Sequence, residues 1–459
     1  MNNPDYQYIH LDEGSSSYDN ASSEAESAAY TNSLLNSILL KLEYLYTYFS
    51  LLFFTDALSF RSYFLVGEGD DYTGFETPID PLIGLTRYAI FAFTILIIAL
   101  RFKLIAPLLW RMRLLLLLSL LPYLSHFWSD FPEYSSKFGL FVFGTTLVGI
   151  YFAGRYTVRE QLNFLGWVFG TIIGLCLLFI FLLPGSGIDT GMHAGAWRGV
   201  FWHKNNLGIY MTLSAIFFCL TAQADRIPWR KNLYWLLCAV SVVMMVMSTS
   251  KSALIVFAAT FVLLLCCYVL RWNDLISIPI FLSLFVIGSG VTLWLIQSVD
   301  KILVLLGKGT TLSGRTDIWN SVYHYIQQRP LLGHGYAGFW VDIGQARFVW
   351  RDIGFEAVNS HNGFLDLLLD LGFVSLVLFL AIYIMAYARL LLLIRRSRNI
   401  KMFWPLLFLS LFLMYNFAEA QILKSSFNWV IFVTINCSIA QYWRSLQIEK
   451  SERQPIPNY

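Results

Sequence analysis

The chain has 459 residues, a formal net charge of +3, 57% hydrophobic residues and only 13% charged ones. Soluble domains carry about 25% charged residues, so this composition excludes a soluble enzyme and reads as an all-α polytopic membrane protein. The small, scattered charge excludes a nucleic-acid partner, and six cysteines lying inside apolar runs exclude a disulfide framework.

Residues 1–36 form a Ser-rich, acidic tail without Lys or Arg. A secretory signal would open with positive charge and a short apolar core. The tail has neither, so it is expected to be retained and disordered on the cytoplasmic side. Beyond it, runs of about 20 apolar residues predict membrane spans. About twelve transmembrane helices follow: 38–59, 85–101, 113–128, 138–154, 161–183, 207–224, 233–249, 253–270, 275–296, 362–388, 402–418 and 428–443. Nine of them fill 37–296 and three fill 362–443. Between these lies a large loop, 297–361, and residues 444–459 form a second tail.

If the twelve spans alternate, the dense Lys and Arg clusters all fall on one side. They are Arg101 to Arg113, Arg155 with Arg159, Arg226 to Lys231, Arg271, Arg389 to Lys401, and Arg444 onward. The positive-inside rule makes that side cytoplasmic, with both termini on it. The 297–361 loop is then periplasmic, because long loops cross whatever their charge. Within it Trp319, Val322, Tyr323 and Ile326 recur with helical period, predicting an amphipathic helix capped by Ser313 and stopped at Arg329-Pro330. This helix is expected to lie on the membrane surface.

Polar residues at the membrane edge are costly and therefore point to function. The segment Trp197-Arg198-Gly199-Val200-Phe201-Trp202-His203-Lys204-Asn205-Asn206 enters the sixth span. Its free backbone N–H groups and the cations Arg198 and Lys204 suit an anion, with His203 and Asn206 on the same turn. The alternative is that these cations reach lipid headgroups. Lys251, in the turn Ser248-Thr249-Ser250-Lys251-Ser252, is either a phosphate contact or an ordinary interfacial lysine.

Arg315 opens the amphipathic helix, where a cation opposes the helix dipole and needs an anion. Asp317 or a substrate phosphate would serve. His361, within Asn359-Ser360-His361-Asn362, is the sharpest candidate for a general base, because imidazole titrates near neutral pH. Ser360 or Asn359 could cap the helix that follows. Asp366 and Asp370 share one face of that helix, and Glu419 is expected to pair with Lys424. Glu68, Asp70 and Asp71 sit among glycines and read as a solvated hairpin rather than a metal site.

Three blocks carry a family resemblance: Arg198-Gly199-Val200-Phe201 with His203 to Gly208; Ser313-Gly314-Arg315-Thr316-Asp317-Ile318-Trp319 with Pro330 to Tyr336; and Ser360 to Leu365. A weaker echo is Phe127-Trp128-Ser129-Asp130-Phe131-Pro132. In these the chain resembles the O-antigen ligase and Wzy-type polymerase superfamily, most of all its exopolysaccharide polymerase branch. The resemblance implies a GT-C-like helical enzyme of the bacterial inner membrane. It would act on undecaprenyl-pyrophosphate-linked oligosaccharide without cofactor or metal. His361 maps onto the family's essential histidine, and Arg198 and Arg315 onto its loop arginines. Lys251 stands where many relatives carry arginine, so a charge is kept and a fork is lost.

The expected activity is inverting glycosyl transfer at the periplasmic face, polymerising lipid-linked repeat units onto an acceptor glycan. Arg198, Arg315, Lys204 and Lys251 would hold the pyrophosphate, with His203 and Asn206 beside them. Trp202, Trp319 and Trp340 would stack on sugars. A ligase acting on the same donor is the close alternative, and a flippase or transporter is the alternative of another class. A chain-length regulator is a candidate partner, alongside membrane lipid.

Overall fold

The computed structural model describes residues 37–60, 80–191, 193–267, parts of 279–294, and 314–341, 344–396 and 403–452. The tail 1–36, the acidic segment 68–71 expected to form a hairpin, the proposed cap Ser313, and much of the predicted span 275–296 lie outside the described residues. The chain divides into two units, 1–50 and 51–459. In the first, residues 37–50 are helical, and the Thr47 and Ser50 hydroxyls bond to their own helix carbonyls.

The second unit is all-helical among the described residues. Its helices are α1 (Asp80–Leu100), α2 (Phe102–Arg111), α3 (Arg113–Leu124), α4 (Pro132–Arg155), α5 (Val158–Leu182), α6 (Lys204–Ala224) and α7 (Pro228–Met247). Then come α8 (Lys251–Cys267), α9 (Gly314–Gln328), α10 (Ala346–Ile353), α11 (Gly363–Arg396), α12 (Phe403–Tyr415) and α13 (Phe427–Glu452). Six of these are long and apolar enough to cross a membrane, or seven if the bent pair formed by α2 and α3 counts as one span. The chain is therefore a multi-pass membrane protein.

The predicted twelve spans are not reached by this measure among the described residues, for physical reasons. Helix α12 has only 13 residues. Helix α13 carries Asn428, Thr434, Asn436 and Ser438 in its apolar run, so it is too polar to qualify alone. The basic stretch 101–113, expected to be a connection, is largely the helix α2, bent by 83° from its successor.

Helix α4 packs on α1, α2, α3 and α13. A Cβ at Gly149 would collide with Val433 and the Val430 carbonyl of α13. A small residue there lets two helix backbones approach, which is how helices associate where lipid supplies no hydrophobic drive. The fully buried Trp429 of α13 donates its indole N–H to Thr146 Oγ1 at 2.8 Å, and Thr434 Oγ1 donates to the Gly149 carbonyl at 3.2 Å.

Helix α11 is not continuous. Gly372 has φ 67° and ψ −169°, which breaks it. The freed groups are taken up by the 330–335 segment. His334 and Gly335 donate to the Leu369 and Asp370 carbonyls at 2.8 and 2.9 Å, and Phe373 donates to the Pro330 carbonyl at 2.8 Å. Non-helical backbone is tolerated at such a depth only where protein satisfies it. The Trp128–Pro132 turn closes the other side: Trp128 Nε1 donates to the Leu332 carbonyl at 2.9 Å, and Arg329 pairs with Asp130 at 2.9 Å. Two of the sequence blocks are thus docked onto one another.

Helix α9 exists as expected, with a rotated inner face. Ile318, Val322 and Ile326 are buried with Phe339, Val349 and Leu369, whereas Tyr323 is 59% exposed. The spacing i, i+4, i+8 aligns one row of the helix, and position 323 falls off it.

Candidate functional site

Four chain segments meet around Glu419. This residue follows α12 in a tight turn, where its N–H donates to the Tyr415 carbonyl at 2.7 Å. Asn416, fully buried, braces the turn by accepting from Gln421 and Ile422 through Oδ1, at 2.9 and 3.1 Å. The turn holds the Glu419 carboxylate, 13% exposed, against three partners. Asn205 Nδ2, on the first turn of α6, donates to Oε1 at 2.9 Å. Arg315, on the first turn of α9, pairs with Oε1 at 3.4 Å. His361 Nδ1, just before α11, lies 3.5 Å from Oε2. No hydrogen bond closes at that nitrogen, and the imidazole is 31% exposed.

Burial pushes the Glu419 carboxyl up, but His361, Arg315 and His203 outweigh it and hold the pKa at about 2. The carboxylate is therefore charged throughout the working range. Arg315 has found its anion in Glu419 rather than Asp317. Glu419 in turn does not pair with Lys424, which instead lies 4.0 Å from Asp366 and 5.7 Å from the Tyr336 ring centroid. Burial works against the Lys424 charge, yet Tyr336, Asp366 and Asp370 raise its pKa.

The backbone around His361 is locked. His361 has φ 50°, a left-handed conformation in which non-glycine residues are uncommon and histidine is enriched. Asn359 Oδ1 accepts from the His361 N–H at 2.8 Å, and Asp366 Oδ1 accepts from Ser360 N–H at 2.9 Å. The cap of α11 is Asn362, whose Oδ1 accepts from Phe364 and Leu365 N–H at 3.0 and 3.2 Å, in place of the expected Ser360 or Asn359. Trp319 Nε1 donates to the Ser360 carbonyl at 2.8 Å, so this indole fixes the loop that carries His361.

His203 is the N-cap of α6, and its Nδ1 accepts from Asn205 N–H at 3.0 Å. That bond requires an unprotonated Nδ1. Burial first of all lowers its pKa to about 4, with nearby cations and histidines adding to the effect. Ser250 Oγ donates to Asn205 Oδ1 at 2.9 Å, which ties the turn before α8 to the same cluster. Lys251 begins α8 and is exposed. Lys204 and Asn206 are half-buried on the first turn of α6, and it is Asn205 that reaches Glu419.

Arg198 is 3% exposed; its Nε donates to the Ser186 carbonyl at 2.9 Å and a terminal nitrogen to the Trp202 carbonyl at 3.5 Å. It shapes the loop leading to His203. Sequence reasoning assigns Glu419 to Lys424 rather than to the site, and gives Asn205 no role of its own. Asn205 lay inside a singled-out block. Glu419 gave no signal beyond being a lone acid in a short connection.

Among the described residues no group of three or more His, Cys, Asp or Glu could hold a metal ion. The arrangement offers an orienting carboxylate behind an imidazole, a guanidinium beside it, and the N-terminus of α6 nearby. It can take a proton from a hydroxyl and stabilise an anion.

Residues 236–380 match the family model described as O-Antigen ligase. That match includes Lys251, Arg315, Trp319 and His361, and leaves out Arg198, Asn205 and Glu419. Over 273 residues the chain is 27% identical to the exopolysaccharide production protein ExoQ of Rhizobium meliloti (strain 1021), covering 57% of this chain and 61% of that protein. The chain thus spans about three-fifths of the length of the curated relative it matches. Together these likenesses support, for this membrane protein, the O-antigen ligase and Wzy-type superfamily that its sequence blocks resemble.

Proposed function

We propose that the protein is an inverting glycosyltransferase that polymerises undecaprenyl-pyrophosphate-linked repeat units into exopolysaccharide or O-antigen at the periplasmic face of the inner membrane, with both termini cytoplasmic. The observation that carries this reading is the meeting of Arg315, Asn205 and His361 on Glu419. With Nδ1 turned toward Glu419, Nε2 is the nitrogen left for the acceptor sugar hydroxyl. Glu419, 3.5 Å from Nδ1, stabilises the protonated ring by its charge, and closing that gap to a hydrogen bond would orient the ring as a triad carboxylate does. As the hydroxyl attacks the anomeric carbon, its proton passes to His361 and the bond to pyrophosphate breaks. The departing pyrophosphate is already a stable anion, so it needs charge stabilisation rather than protonation. Arg315, Lys204, Lys251 and the N-terminus of α6 supply that positive potential. Arg198 acts at one remove, through the loop it shapes.

Transfer of a finished glycan to another acceptor is the second reading, favoured by the matched family's description as O-antigen ligase. ExoQ's description as an exopolysaccharide production protein fits an exopolysaccharide product. A transporter would turn the ends of its broken helices toward substrate in both halves. Here the break in α11 is filled by the 330–335 backbone.

Deletion of the gene and complementation with wild type or His361→Ala tests the reading. Long-chain glycan restored by wild type alone supports the enzyme, and full rescue by the alanine form removes His361 from the mechanism. Single repeat units accumulating on the lipid carrier indicate a polymerase, and long chains on it a ligase.

A further inference from the structure

At the end of the bundle opposite the candidate site, helices α4, α5, α11, α12 and α13 enclose a cavity of about 210 Å³. This exceeds the ~150 Å³ apolar cavity that accepts a benzene-sized ligand. Its walls repeat at helical period: one face of α13 from Ile431 to Tyr442, and one face of α5 from Val158 to Leu165. The eleven helical steps from Ile431 to Tyr442, at 1.5 Å each, make the slot about 16 Å long. Leu393 and Trp404 close it from α11 and α12.

The polar groups in the wall are largely occupied with protein. Gln161 donates to the Tyr156 carbonyl at 2.8 Å and to Ser438 Oγ at 3.1 Å, and Thr434 Oγ1 donates to the Val430 carbonyl at 2.7 Å. What fits there is an apolar chain. The rim is different. Arg159 adjoins Val158, Arg389 adjoins Leu390, and Arg444 lies two residues beyond Tyr442, the exposed residue at the slot's end. The Arg155 guanidinium stands 5.0 Å over the Tyr156 ring. The nearby anion Glu160 is bound up in the capping box with Thr157 at 2.8 Å. An apolar slot whose end residues are followed or preceded along their helices by Arg155, Arg159, Arg389 and Arg444 matches a molecule with a hydrocarbon tail and an anionic head.

We propose that this cavity holds one acyl chain of an anionic phospholipid, with its headgroup phosphate against Arg159, Arg389 and Arg444. The site is separate from the chemistry around Glu419 and does not rest on the proposed reaction. The test reconstitutes the full-length protein in vesicles of equal parts phosphatidylglycerol and phosphatidylethanolamine. The protein is re-extracted in mild detergent, and the retained phospholipid is counted by headgroup. Retained phosphatidylglycerol in excess is the expected result. Ile435→Trp, which fills the slot, should lose it. Arg159→Gln with Arg444→Gln should lower the preference by roughly fivefold per cation. Equal retention of both headgroups overturns the proposal, as does undiminished retention by a folded Ile435→Trp or the recovery of a phosphate-free or polyprenyl chain. If Ile435→Trp does not fold, the two exposed arginines decide the matter, and an unchanged preference in their double variant refutes it.

Discussion

The protein contains two clusters of the same three residue types, and they are put to opposite uses. In one, Arg315, Glu419 and His361 meet with a buried carboxylate and an open imidazole, which is 31% exposed. In the other, Arg329 and His334 meet Asp130, at 2.9 and 3.8 Å, and there the carboxylate is 35% exposed and the imidazole 1%. His334 Nε2 is bonded to the Tyr325 carbonyl at 2.9 Å, and burial lowers its pKa. A histidine sealed in this way fastens the 330–335 segment into the break of α11. A histidine braced by a buried carboxylate, with one edge open, is equipped to move a proton. Residue types alone do not separate the two clusters, but the burial of each partner does.

The largest effect expected from this contrast is on activity. His361→Ala should lower glycosyl transfer by about 10²–10⁴-fold, the usual worth of a general base, with the thermal midpoint unchanged. His334→Ala should do the reverse, lowering stability by about 1–3 kcal/mol as Tyr325 loses its partner, while activity per folded molecule survives. Equal loss of activity in both, measured in reconstituted vesicles, would erase the distinction.

Glu419→Gln is expected to cost at least about 10²-fold, toward the ~10⁴-fold seen when a triad carboxylate is neutralised. Gly372→Ala should destabilise by about 1–3 kcal/mol, because φ 67° is strained for any side chain and the Leu331 backbone occupies the space. Thermal unfolding in detergent reads this directly.

The smallest effect is on pH dependence. His203 binds its proton at an ordinary 6.5 when unfolded and at about 4 when folded. The unfolded state therefore holds more protons between these values, and stability falls as pH drops from 6.5 to 4. Below 4 the loss is complete. His203→Asn keeps an N-cap acceptor without a titrating group, so the fall across that window should be smaller than in the wild type, with the share contributed by buried His334 remaining.

Much of this architecture was legible in the sequence. Apolar runs located most helices to within a few residues, and the helical period located α9. The polar blocks at 203–206, 313–319 and 359–362 marked three of the four segments that meet at the site. The fourth was hidden because Glu419 lies 104 residues from Arg315 and 214 from Asn205, and a lone acid in a short turn has no local pattern. The break in α11 was hidden for another reason. Hydropathy sums side chains and is blind to φ, so a glycine inside an apolar run reads as a continuous span. The cap of α11 went to Asn362 because Asn359 was already engaged by the His361 N–H.

The most direct test of the account is a double-mutant cycle on transfer rate with Glu419→Gln and His361→Ala, each also followed by thermal unfolding. If Glu419 acts by orienting the imidazole, removing it should cost nothing further once His361 is alanine, and the double variant should match His361→Ala within about twofold. Losses that multiply in full would show that the two side chains act independently, and would contradict the proposed pair.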